Sequence, residues 1–74
     1  MKKEKFYVTF GQAHKHKYGT TSLDKDTIIE VQADSYKEVQ SWAMETFEGM
    51  FSMIYSELPE MKYFPKGRAL IIII

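Results

Sequence analysis

The residues of this 74-residue chain best suited to chemistry lie in one stretch, His14-Lys15-His16-Lys17-Tyr18, with Asp24 and Asp26 a few positions on. In extended backbone alternate residues point the same way, so His14 and His16 can offer two imidazoles to one metal ion, with Asp24 and Asp26 adding oxygens across a turn. A second chemistry open to the same groups is proton transfer, with His14 as general base and Asp24 orienting it. A third is anion binding, in which Gly11-Gln12-Ala13-His14 presents backbone amides freed by the glycine and Lys15 and Lys17 add charge. Each signal is weak. A His-x-His pair without a third fixed ligand arises often in basic loops, and no Walker or dinucleotide spacing is present. One helix and so short a chain seldom enclose a pocket that excludes water. The expectation is a binding protein rather than an enzyme, with no cofactor or metal, and small-molecule, anion or metal binding by the His14/His16 loop as the rival reading.

Composition narrows the classes further. Seventy-four residues make a single domain, 1–74, near the lower size limit for a fold held by its hydrophobic core alone. There is no cysteine, hence no disulfide framework and no thiolate metal site, and a reducing cytoplasm is the expected location. The first residues are charged without an apolar signal core, and no run approaches the ~20 apolar residues of a membrane helix. Formal net charge is zero, which argues against a nucleic-acid binder that works by neutralising phosphates. An RNA-binding sheet with Tyr7 stacked on its open face would also need a basic glycine-aromatic strand motif that is missing here. The charge is unevenly spread: residues 1–20 sum to +4, residues 21–60 to −7, and residues 61–74 to +3. If the terminal strands are neighbours, the fold acquires a basic and an acidic side able to steer a charged partner.

The elements that must position these groups follow from periodicity. Phe6, Val8 and Phe10 alternate with Tyr7, Thr9 and Gly11 as a first strand. Gln12 to Asp26 is polar and glycine-punctuated, a long loop or loose hairpin connection. A second strand over 27–33 places Ile29, Val31 and Ala33 on one face and Ile28 on the other. Ser35 and Glu38 form a capping box that starts a helix, whose stripe of Tyr36, Val39, Ala43, Phe47 and Met50 covers a sheet, and Gly49 stops it. Phe51, Met53 and Tyr55 alternate with Ser52 and Ile54 as a third strand, Glu60 to Phe64 is a helical turn or irregular loop, and Pro65-Lys66-Gly67 turns the chain into a fourth strand, Ala69 to Ile74.

The expected fold is α+β, a small antiparallel or mixed four-stranded sheet in the order β-β-α-β-β along the chain, with one helix packed on one face. A right-handed crossover through the helix leaves room for the first strand between the second and third, and places the fourth beside the third. One helix covers one face, so Tyr7, Thr9, Ile28, Ile54 and alternate tail isoleucines should line an open one. Such a face, or the C-terminal strand, would suit a homodimer. The aromatics Tyr7, Tyr18 and Trp42 at the core boundary favour an interface. With Gln12, His14, Lys15, His16 and Lys17 they compose the expected contact surface.

At Tyr7-Val8-Thr9-Phe10-Gly11-Gln12-Ala13-His14 the sequence resembles a group of short tailed-bacteriophage proteins that begin with a Y-V-T-F-G-x-x-H strand. The likeness extends to an F-x-x-x-Y strand, here Phe51 to Tyr55, and an aromatic-Pro-x-Gly turn, here Phe64-Pro65-Lys66-Gly67; the Ile71 to Ile74 tail departs from it. It implies a viral protein of the host cytoplasm that binds and modulates or inhibits a host protein or defence complex.

Overall fold

The structure, a computed structural model, describes residues 3–11 and 15–74. Its elements are β1 (Glu4–Thr9), β2 (His16–Tyr18), β3 (Thr21–Leu23), β4 (Thr27–Ala33), α1 (Tyr36–Phe47), β5 (Met53–Tyr55), a 3₁₀ turn (Met61–Tyr63) and β6 (Gly67–Ile73). The fold is α+β as the periodicity predicts, with one helix on a four-stranded mixed sheet. The polar stretch read as a loop supplies the remaining two strands, a hairpin of β2 and β3 turning at Gly19-Thr20.

The sheet order is β5-β1-β4-β6. β1 lies between β4 and β5 and is antiparallel to both, as expected from the crossover. The last strand corrects the expected order. It runs parallel to β4 at the edge opposite β5 instead of pairing beside β5. The reason lies in β4, where Ile28, Ile29 and Val31 are all fully buried, so this strand needs a neighbour on both sides. Two polar ties fix the new neighbour: Lys66 N–H donates to the Asp26 carbonyl at 3.0 Å, and Arg68 Nη1 reaches Glu30 Oε1 at 2.8 Å.

The two long connections cross opposite faces. α1 carries the chain from the end of β4 to β5 over one face, where Phe6, Val8, Ile29, Val31, Ala33 and Ile54 meet Val39, Ala43 and Phe47. Residues 56–66 carry it from the β5 edge to the β6 edge, and the burial of Tyr7, Thr9, Ile28 and Glu30 opposite the helix shows that they cross there. The expected open face is therefore covered at its centre, and only its margins, Met53 and Tyr55 on β5 and Ile71 and Ile73 on β6, are exposed. Ile54 is also corrected. It pairs with Val8 and shares that residue's inward direction, which turns Met53 and Tyr55 outward, while Phe51 reaches the core from the loop before the strand.

The helix begins where its cap predicts, with the Glu38 N–H donating to Ser35 Oγ at 3.3 Å. Val39, Ala43 and Phe47 are buried, but Tyr36 and Met50 at the ends of the expected stripe are exposed. The helix is shorter than that stripe because Glu48, at φ 54°, and Gly49, at φ 77°, are both left-handed. Glu48 is the sole non-glycine residue with positive φ among the described residues. Glu48→Gly should therefore raise stability by about 0.5 to 1 kcal/mol, read from a chemical denaturation midpoint. Among the described residues no helix is long and apolar enough to cross a membrane.

Candidate functional site

The hairpin β2–β3 lies on the helix side of the sheet, held by one side chain facing inward from each strand. Leu23 is fully buried in the core. His16 packs its ring between Phe47, 4.8 Å between centroids, and Phe10, 5.7 Å away. Its Nε2 lies 2.6 Å from the Met50 carbonyl oxygen. A carbonyl can only accept, so Nε2 carries the proton and donates it. His16 is thus a clamp that fastens the hairpin to the chain leaving α1, and its Nε2 lone pair is not free for a metal ion.

The acidic partners proposed from the sequence are engaged as well. The Asp24 carboxylate takes the Lys66 ammonium at 2.9 Å and the Asp26 N–H at 2.9 Å, and Asp26 faces Lys25 at 3.8 Å. Thr27 closes the turn, its hydroxyl donating to the Asp24 carbonyl and accepting from the Asp24 N–H. Among the described residues no three metal-ligating side chains converge. His14 and Gln12 lie outside the described residues.

The Lys66 ammonium, with the Asp26 amide and Lys15 beyond it, holds the Asp24 carboxyl below its ordinary range, and Asp24 in turn raises the Lys66 ammonium. A carboxyl depressed in the folded state adds stability above its unfolded value, lost as pH falls through the folded one. A raised lysine adds stability below its unfolded value, lost as pH rises through the folded one. The pair therefore acts across the neutral range and fails at both ends. Asp24→Asn should flatten the acid limb of a stability–pH curve below the usual carboxylate range, measured by thermal melts at stepped pH.

Lys66 was not visible as a site residue, since it lies 42 residues from Asp24 and nothing local in Pro65-Lys66-Gly67 signals the pairing. It completes a shallow depression of ≈ 490 Å³ lined by Lys15, His16, Lys17, Ser22, Asp24 and itself, among others. The expected basic side of the fold is diluted here, because Lys66 and Arg68 are spent on Asp24 and Glu30, and β4 separates β1 from β6. Lys15 and Lys17 keep the local surface basic.

Tyr18 and Trp42 come together across the junction of hairpin and helix, their rings 6.4 Å apart. Tyr18 is 39% exposed, and Trp42 is half-buried, with its ring edge-on to Phe47 at 5.5 Å. Tyr7 does not join them. It is 7% exposed and sits on the opposite face between Glu30 and Tyr55, so its ring is packing and not a contact surface. Of the residues expected to form one surface, the structure therefore brings Lys15, His16 and Lys17 together around the depression and Tyr18 and Trp42 together as a pair at the helix. Comparison with protein-family models, curated proteins and solved structures finds no match for this chain.

Proposed function

We propose that this chain is a small non-enzymatic binding module that acts by contact with another protein, through the surface where the hairpin meets α1. The observation that carries this reading is the Tyr18–Trp42 pair, rooted on the buried Phe47, with Lys17 beside Tyr18 on the same hairpin strand and Lys15 just before it. Aromatics fixed at the surface of a rigid core lose little freedom on binding and are the residue types that dominate interface energetics. The lysines select an acidic partner surface and speed the encounter. The sequence resemblance to tailed-bacteriophage proteins supports a bacterial host protein or defence complex as that partner, met in the host cytoplasm.

Trp42 is the sole tryptophan, so its fluorescence should shift when a partner covers it. Titration with a captured partner should show a saturable shift in the native chain, and Tyr18→Ala should weaken it by about tenfold or more. A partner that binds without moving the Trp42 signal binds elsewhere.

A second reading is a small anion in the Lys15–Lys17 depression. Its basic lining favours it, while Asp24 within the same lining opposes it. It predicts that phosphate or another anionic ligand raises the melting temperature and that His14→Ala removes the rise. An unshifted melt across divalent ions and anions would eliminate it.

A further inference from the structure

β6 is an edge strand of a kind that folded proteins seldom leave bare. From Ala69 to Ile74 it has no charged side chain, no proline and no polar side chain, and it lies at the margin of the sheet with β4 as its only hydrogen-bonded strand neighbour among the described residues. Edges are ordinarily protected by lysine, proline or a covering element. Ile71 is 53% exposed and Ile73 66%. Arg68, at the start of the strand, is paired with Glu30 within the same chain. From Ala69 on, the strand therefore presents an edge without a charged side chain, which a strand of the same kind matches.

The backbone directions along β6 restrict that match further. The Ile74 N–H donates inward to the Gln32 carbonyl at 3.0 Å. Successive residues of a strand direct their amides to opposite sides, so Ile72 also bonds to β4, while Ile71 and Ile73 turn their N–H and C=O groups away from the sheet. The register breaks once, where Ile28 faces Arg68 and Ile29 faces Leu70, so the regular part of the edge begins at Leu70. β3 approaches β6, which makes the end of the strand its more open part.

We propose that two copies of this chain pair antiparallel along β6 about a twofold axis at Ile72, forming one continuous eight-stranded sheet. This register sets Ile71 opposite Ile73 of the second copy, each donating to and accepting from the other, and the symmetry repeats the pair for four backbone hydrogen bonds. A register shifted by one residue would set an outward amide against one already bonded to β4. On the helix face Leu70, Ile72 and Ile74 meet Ile74, Ile72 and Leu70 of the second copy. On the other face Ile71 and Ile73 cover each other, so every apposed side chain is apolar. The axis stands perpendicular to the sheet, so both helices lie on the same face and run antiparallel. α1 borders this end of the edge, because a groove there is lined by Ile74 together with Lys37, Trp42 and Glu45. The inference uses the β6 edge alone and stands whether or not the Tyr18–Trp42 surface binds a partner.

Sedimentation equilibrium over a micromolar-to-millimolar range tests it. The native chain should fit a monomer–dimer equilibrium. Ile73→Pro removes one outward donor per chain and none that bonds to β4, so it should leave the monomer folded by circular dichroism and raise the dissociation constant about tenfold or more. The chain has no cysteine, so single cysteines report the register. Ile72→Cys should form an intermolecular disulfide under mild oxidation, because it faces its own copy in the close, non-hydrogen-bonded position. Ile71→Cys should cross-link much more slowly. A strictly monomeric native chain overturns the proposal, and so does a dimer whose Ile72→Cys form cross-links no faster than its Ile71→Cys form. Should Ile73→Pro fail to fold, the cysteine pair decides alone.

Discussion

Replacing Phe47 by alanine should remove about 3 to 5 kcal/mol of stability and abolish cooperative unfolding in urea. Phe47 is the last residue of α1 and is 3% exposed. Its ring meets three others, Phe10 at 5.1 Å, His16 at 4.8 Å and Trp42 at 5.5 Å. Deleting it opens a cavity where the end of β1, the hairpin and the helix meet. The total stability of a domain this small is of the same order as the loss. A midpoint lowered by less than about 1 kcal/mol would mean that these contacts do not define the core.

The second large effect belongs to Glu30 and Arg68. Glu30 is 2% exposed on the face crossed by residues 56–66, and its two oxygens are taken by Arg68 Nη1 and Gln32 Nε2, each at 2.8 Å. Arg68→Ala would leave a buried carboxylate with the Gln32 amide as its one remaining bond among the described residues, and should cost about 2 to 4 kcal/mol. Replacing both members together, as Glu30→Leu with Arg68→Leu, should cost far less, because no orphaned charge is then left inside. Denaturation midpoints of the two single variants and the double variant read the coupling directly. Additive losses would show that the pair contributes no more than its separate parts.

The same pair explains what could and could not be read from the sequence. Elements with a local signature were legible. Ser35 and Glu38 announced the helix start, alternation from Phe6 to Phe10 and in 27–33 announced two strands, and the crossover geometry placed the first between the second and third. The position of β6 was not legible, since Arg68 and Lys66 find Glu30 and Asp24 only in three dimensions, and a strand apolar on both faces carries no mark of its neighbour. The phase of β5 failed for a related reason: in three residues, pairing with β1 outweighs periodicity, and Val8 decides that Ile54 faces inward. The hairpin was hidden by the shortness of its strands, although Gly19, at φ 64°, followed by β-branched Thr20 and Thr21 was its local sign.

The candidate surface was legible in composition more than in geometry. Tyr18 meets Trp42 at the helix, Lys15 and Lys17 line the depression with His16, Tyr7 is packing and His16 is a clamp. Asp24 is tied to a lysine that no local pattern connects to it. In the proposed reading, function rests on what the hairpin displays, and the clamp at His16 and Phe47 keeps that display in place.

The most direct test is paired capture from a bacterial host lysate, with the native chain on one support and a folded Lys17→Glu, Tyr18→Ala variant on another, read by quantitative mass spectrometry. A protein retained saturably by the native chain and lost from the variant is the predicted result. Equal retention on both supports, or none on the native chain, would contradict the proposal that this surface is where the protein acts.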